Sequence, residues 1–148
     1  MSPAGLVSLT VGLTGGAAIA QRIIERKRRR RLRQLASEWR MNFNAGDQLR
    51  LAARVAHCFP IPGAANVTVG DVIYGIDGDV YRYIFTAEYT LGVLRTKRRH
   101  VRVACFAEPR DRNSPRPPEA VVLAPLQLSL LEQYRAFSPP ANKISGIS

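Results

Sequence analysis

Cysteine, histidine and acidic side chains are scarce in this chain of 148 residues: two Cys, two His, and 11 Asp plus Glu against 22 Lys plus Arg. Cys58 and Cys105 lie far apart and form no C-x-x-C, so neither a zinc site nor a dithiol motif is written here. In a cytoplasmic setting both read as reduced core thiols. His57 precedes Cys58, but neighbours on a helix point about 100° apart, which does not make a nucleophile–base pair. His100 stands in a basic cluster with no carboxylate near it in sequence. Asp71, Asp77 and Asp79 flank a hairpin; the fixed ligand positions and closing Glu of a calcium loop are missing, so turn chemistry explains them. No phosphate-cradling glycine motif follows a strand, since Gly15-Gly16 falls inside an apolar segment. An enzyme could still use dispersed residues such as Asp71, Glu88 and His100, but they form no convergent set. The expectation is a non-enzymatic protein with no metal and no cofactor.

What is present has an ordinary globular balance, 46% hydrophobic and 22% charged, which excludes a wholly disordered chain and a polytopic membrane protein. The length suits one small domain plus an appendage. The net charge is +11, and it is concentrated. Residues 22–33 (RIIERKRRRRLR) hold eight basic residues, Arg22, Arg26, Lys27, Arg28, Arg29, Arg30, Arg31 and Arg33, with one Glu. A globally basic protein would point first to nucleic acid. A single basic run beside an apolar segment points first to anionic lipid.

That apolar segment is Ala4 to Ala20, seventeen residues without a formal charge. Seventeen is the lower edge of what crosses about 30 Å of hydrocarbon. Arg22 can snorkel and let Ile23 and Ile24 extend the apolar face. A cleaved signal peptide would suit Ala18-Ile19-Ala20, but residues 1–5 lack the basic n-region and the arginines that follow oppose translocation. A buried core helix and a helix lying on the membrane surface are the other readings, the latter weakened by poor amphipathicity. A single transmembrane helix is the expectation. The positive-inside rule then puts the N-terminus outside and the remainder in the cytoplasm. Small residues at every fourth position (Ala4, Ser8, Gly12, Gly16, Ala20) form a stripe through which two such helices could pack, giving a homo-oligomer.

Beyond the arginines, Leu32, Leu35, Ala36, Trp39 and Phe43 recur at helical spacing, so the helix is expected to continue to about Asn42. Asn44-Ala45-Gly46-Asp47 stops it, and Asp47 can cap a second helix carrying Leu51, Ala52, Val55 and Ala56. Pro60, Pro62 and Gly63 mark a loop. Residues 67–107 read as three strands: 67–76, a hairpin at Asp77-Gly78, then a strand with Tyr81, Tyr83, Phe85, Ala87, Tyr89 and Leu91 on one face. The third alternates Val101, Val103, Cys105 and Ala107 against His100 and Arg102. This period of two predicts one buried face and one wet face. The row of tyrosines could stack bases, but at strand period it reads as core. Arg95, Lys97, Arg98, Arg99 and Arg102 form a second basic cluster at a hairpin end. Residues 108–118 are a loop, 120–124 a short fourth strand, and Pro125 opens a last helix with the stripe Leu126, Leu130, Leu131, Tyr134 and Phe137.

Val69-Gly70-Asp71-Val72-Ile73-Tyr74-Gly75, then Gly78, Phe85 and Tyr89, resembles a group of bacterial membrane-anchored proteins without an established activity. Their pattern runs N-V-L-Y-G-x-x-x-G-x-x-V-x-x-F-D-Y-x-Y after a hydrophobic segment and a helix similar to Leu35-Ala36-x-x-Trp39. The likeness covers roughly residues 32–107, and Thr86-Ala87 departs from it. It implies an architecture and a membrane setting, not a mechanism.

The reading is an α+β protein in four parts: a transmembrane anchor (1–24), a basic juxtamembrane helix (25–46), a cytoplasmic domain with a three- to four-stranded antiparallel sheet packed by helices on one face (47–137), and a loose tail (138–148). Its expected role is an interaction or scaffold module at the membrane, with anionic lipids and an unknown protein as partners. The alternative is a nucleic-acid binder using the Arg-rich helix.

Overall fold

The computed structural model describes residues 3–92, 98–111, 113, 115 and 120–138, the side chains of 3–14 excepted. The fold is α+β and the chain divides into two units, Met1–Arg31 and Leu32–Ser148. In the first, α1 (Pro3–Glu38) runs through the uncharged stretch and the arginines without a break. The second contains the last turns of α1, then β1 (Asn42–Asn44), α2 (Leu51–Val55) with a 3-10 turn over Ala56–Cys58, β2 (Ala65–Asp77), β3 (Val80–Leu91), β4 (Arg98–Pro109), β5 (Val122–Leu123) and α3 (Leu130–Arg135). The five strands form one antiparallel sheet in chain order.

α1 stops at Glu38, four residues short of the expected end, although no Gly is there to stop it. Arg40 adopts φ 56°, the left-handed conformation. The Met41 N–H bonds to the Ala36 carbonyl at 2.8 Å and the Arg40 N–H to that of Ser37 at 3.1 Å. These two bonds make a Schellman ending with Arg at the position Gly usually holds. The chain then turns directly into β1, an edge strand in a stretch expected to be helix, and the sheet gains a fifth strand.

The one-wet-face expectation also fails. On β3, Tyr83, Phe85, Ala87 and Tyr89 do share a face, and so do Val103 and Cys105 on β4. But the register pairs Tyr83 with Phe106 and Phe85 with Ala104, while Ile84 pairs with Cys105 and Thr86 with Val103. The tyrosine face of β3 and the valine face of β4 are therefore opposite sides of the sheet. Each side needs a cover. One is packed by Leu51 and Val55 of α2 with Phe59 and Val121. The other is packed by Leu32, Leu35 and Ala36 of α1, by Ala124 just after β5, and by Tyr134 of α3. Residues 83–87 are consequently buried without interruption. Each large apolar side chain so covered contributes about 1.5–3 kcal/mol.

Smaller features follow local chemistry. The β2–β3 hairpin turns on Gly78-Asp79 between the paired Asp77 and Val80, with Gly78 at φ 66°. A Gly in the first central position is what a tight primed turn requires. Asp47 does cap α2, but from four residues upstream: its carboxylate accepts the N–H groups of Leu51 (2.7 Å) and Ala52 (2.9 Å). α3 starts later than expected. Its N-cap is Ser129, in a reciprocal capping box with Glu132, and Leu126 lies outside the apolar stripe at 61% exposure.

Among the described residues, no helix is long and apolar enough to cross a membrane. From Gly15 onward α1 offers six uncharged non-polar residues before Gln21 and Arg22 interrupt it. The side chains of residues 4–14, which supply most of the expected span, are outside the described set. So are residues 139–148, the larger part of the expected tail.

Candidate functional site

The basic run lies on the helical surface of the first unit. Arg22, Arg26, Lys27, Arg29, Arg30 and Arg31 are exposed, and Arg28 is half-buried. At 3.6 residues per turn, so dense a run places cations on every side of the helix rather than along one stripe. Arg33, in the second unit, sits with its guanidinium carbon 5.6 Å from the centroid of the Phe43 ring. Of the expected small-residue stripe, Ser8 and Gly12 have no described side-chain surroundings. Gly16 is exposed with nothing within 4 Å of where a Cβ would stand.

A second charged group is built on the α2 side of the sheet. Tyr83 on β3 and Glu108 on β4 are held near each other by the strand register, and Arg54 reaches them from α2. The Tyr83 hydroxyl donates to Glu108 at 2.7 Å, and Arg54 donates to the same carboxylate. The Arg54 guanidinium also lies over the Tyr83 and Phe106 rings, 5.4 and 5.9 Å from their centroids. Burial pushes the Glu108 carboxyl upward, but the hydrogen bonds from Arg54 and Tyr83 and the Arg54 charge outweigh it and hold it below its ordinary value. The Tyr83 phenol is raised by burial and then by its bond to Glu108. Arg54 is raised by its bond to Glu108. All three shifts favour the ionised pair and the neutral phenol at neutral pH. The group is a latch between α2 and the sheet, not a poised acid or base.

Within the second basic cluster, Arg95 and Lys97 are outside the described residues. Arg99 binds Glu88 through Nε at 2.7 Å and reaches Thr68 at 3.3 Å. Arg102 donates through Nε to the Ala124 carbonyl at 2.8 Å. His100 stacks on Tyr89, ring centroids 5.5 Å apart, and Phe59 packs on the same Tyr89 at 5.1 Å. The dispersed candidates for catalysis are not brought together. Glu88 and His100 project from opposite faces of the sheet, as their neighbours Ala87 and Tyr89 on one side and Thr86 on the other require. Asp71 is buried in a bulge of β2.

Asp77 pairs with Arg82 at 2.8 Å. Among the described residues, no group of His, Cys, Asp and Glu could hold a metal ion. Cys58 is exposed and Cys105 half-buried, so the expectation of two core thiols holds only in part.

The buried polar centre was not foreseen. The Tyr134 hydroxyl bonds the Asp71 carbonyl at 2.6 Å and Thr86 Oγ1 at 2.7 Å. Gln133 beside it accepts the Val103 N–H at 3.0 Å. The only signal available was Tyr134, the one residue of that apolar stripe with a polar atom, whose hydroxyl must find a partner when buried.

No protein-family model, curated protein or solved structure matches the chain.

Proposed function

We propose that the chain is a membrane-associated, non-enzymatic interaction module. In this reading the N-terminal stretch of α1 is a single-pass anchor with its N-terminus outside. Residues 22–33 leave the membrane through the anionic headgroups of the inner face, and the α+β domain is presented to partners in the cytoplasm. The resemblance at residues 69–89 points the same way.

The observation that carries the reading is the order of environments along one unbroken helix. Seventeen residues without charge come first, then eight cations within twelve positions, then Leu32, Leu35 and Ala36 in a protein core. A cationic segment near an anionic leaflet gains about 1 kcal/mol per Lys or Arg. The same cations flanking an uncharged helix set its orientation.

The experiment is alkaline carbonate extraction of membranes, with flotation on neutral and anionic vesicles, for the full chain and a version starting at Arg22. The full chain should resist extraction. The shortened chain should be released by carbonate and float only with anionic vesicles, in a salt-sensitive way. Complete extraction of the full chain together with no flotation would sink the reading. Binding to RNA or DNA that falls steeply with salt would then favour the nucleic-acid alternative.

A further inference from the structure

Among the described residues, β4 has an open edge. Its partner on that side, β5, covers only Ala104 and Cys105. One step further, the Val103 carbonyl accepts the Ala124 N–H at 2.9 Å, and the Val103 N–H is taken by the Gln133 side chain at 3.0 Å. The N–H and C=O of one strand residue point to the same side, and that side alternates along the strand. Since both groups of Val103 point away from β3, those of Val101 and Arg99 do too. Among the described residues, no strand pairs with β4 beyond this point. Gln133 thus closes the covered part of the edge, and Val101 begins a part that no described strand covers.

Side chains along this edge define what could pair with it. By the pleat, Arg98, His100 and Arg102 project from one face, and Arg99 and Val101 from the other. Arg98 is exposed, and Val101 is 43% exposed although it is apolar. Arg99 already has Glu88. An added strand places its side chains opposite these, and unlike charges directly opposite are favourable while like charges are not. A second copy of the same edge would set arginine against arginine. An acidic strand would not.

We propose that the open edge of β4 at Arg99–Val101 takes an extended acidic segment of a partner protein as a sixth strand. The segment carries carboxylates at alternate positions opposite Arg98, His100 and Arg102, and an apolar residue opposite Val101. Main-chain hydrogen bonds supply the binding and the alternation supplies the selection. The inference does not depend on the membrane reading, and it requires no chemistry beyond pairing.

The test uses the full chain in neutral detergent micelles and a fluorescein-labelled octapeptide of alternating Glu and Val. Two controls have the same length: the Glu–Val peptide with every backbone nitrogen methylated, and a Lys–Val peptide. The arginines of α1 attract any polyanion, so the comparison that decides is between the two acidic peptides. The unmethylated one should bind at least tenfold tighter, and Lys–Val should not bind. Val101→Pro, which removes an outward N–H at an edge position where Pro is tolerated, should abolish the difference. Arg98→Glu should weaken only the unmethylated peptide. Equal binding of both acidic peptides would refute the proposal. So would a wild-type chain whose mass doubles in sedimentation equilibrium and returns to monomer in Val101→Pro. Should Val101→Pro fail to fold by circular dichroism, the methylation comparison on the wild type and Arg98→Glu still decide.

Discussion

Removing the Tyr134 hydroxyl tests how the sheet is locked to its covering helix. Asp71 is a non-glycine residue at φ 49°, in the irregular stretch of β2 between Gly70 and Ile73. Its backbone is held by groups outside the β2–β3 ladder. Its N–H donates to the Ala45 carbonyl at 3.1 Å, and its carbonyl accepts the Tyr134 hydroxyl at 2.6 Å. A phenol has one proton, so with that proton on Asp71 the 2.7 Å contact to Thr86 is a bond donated by the threonine. Tyr134→Phe deletes both bonds at a fully buried position and takes the phenol partner from Thr86, itself 7% exposed.

A net bond is worth about 0.5–1.5 kcal/mol, and a buried group losing its partner costs about 1–3. The expected loss is about 2–3 kcal/mol. With a slope of about 2 kcal/mol per molar urea, the midpoint falls by about 1–1.5 M. Thr86→Val alone should cost about 1 kcal/mol, because Tyr134 keeps its bond to Asp71. The double variant should cost about 1 kcal/mol less than the sum, since the second change removes a group the first had already stranded. Urea unfolding followed by far-ultraviolet circular dichroism measures all four corners of the cycle. A loss under about 0.5 kcal/mol for Tyr134→Phe, or a cycle additive within error, would refute the argument that this hydroxyl holds the bulge.

Arg40→Gly should stabilise the chain by about 0.5–1 kcal/mol in the same unfolding assay, because glycine occupies the left-handed helix ending without the Cβ penalty of about 1–2 kcal/mol, less its greater unfolded entropy. Asp47→Ala should cost about 1–2 kcal/mol by taking away the acceptor for two α2 N–H groups, with Asp47→Asn milder. The Glu108 carboxyl is held below its ordinary value in the folded chain, so its contribution is complete above the unfolded value. That contribution is lost as pH falls through the lower, folded one. Wild type should therefore lose stability below about pH 4.3 relative to Glu108→Gln. A difference between the two that does not change across pH 3–6 would count against the latch.

The sheet was largely legible because its signals are local. Alternation over 81–91, the turn signal at Asp77-Gly78, which the structure places one residue later at Gly78-Asp79, and the Val101–Ala107 stripe each depend on close neighbours. What sequence could not give was the relation between stripes. Whether the tyrosine stripe of β3 and the valine stripe of β4 share a face depends on a register shift of one residue, which flips every side chain. That single fact converts a half-wet sheet into one covered on both sides. β1 was hidden for a different reason: Leu32–Phe43 keeps helical spacing past the point where Arg40 takes the left-handed turn. Of the candidate sites, the basic run was read directly from composition. The Arg54–Tyr83–Glu108 latch joins residues 25 to 54 apart and left no trace in any window.

The helix geometry places a limit on how the basic run can meet a membrane. From Arg22 to Arg31, nine steps of α1 rise about 13–14 Å at about 1.5 Å each. The interfacial layer on one side of a bilayer is about 5–8 Å thick, half the difference between a hydrocarbon core of about 30 Å and a total of about 40–45 Å. A helix standing along the membrane normal can therefore seat Arg22 and Arg26 among headgroups, while Arg30 and Arg31 stand about 4–9 Å beyond. That distance is about one Debye length at physiological salt, where attraction to the surface is already much reduced. In a spanning helix the cations are thus unequal. Neutralising Arg22 and Arg26 to Gln should release more of the anionic-vesicle binding than neutralising Arg30 and Arg31, and the two pairs should converge as salt is lowered. A helix lying flat would rank the arginines by angle about its axis instead, where Arg26 and Arg30 lie only about 40° apart, so single Arg26→Gln and Arg30→Gln variants would then behave alike. Flotation of these variants across a salt series therefore separates a spanning anchor from a surface-bound one through the arginines alone.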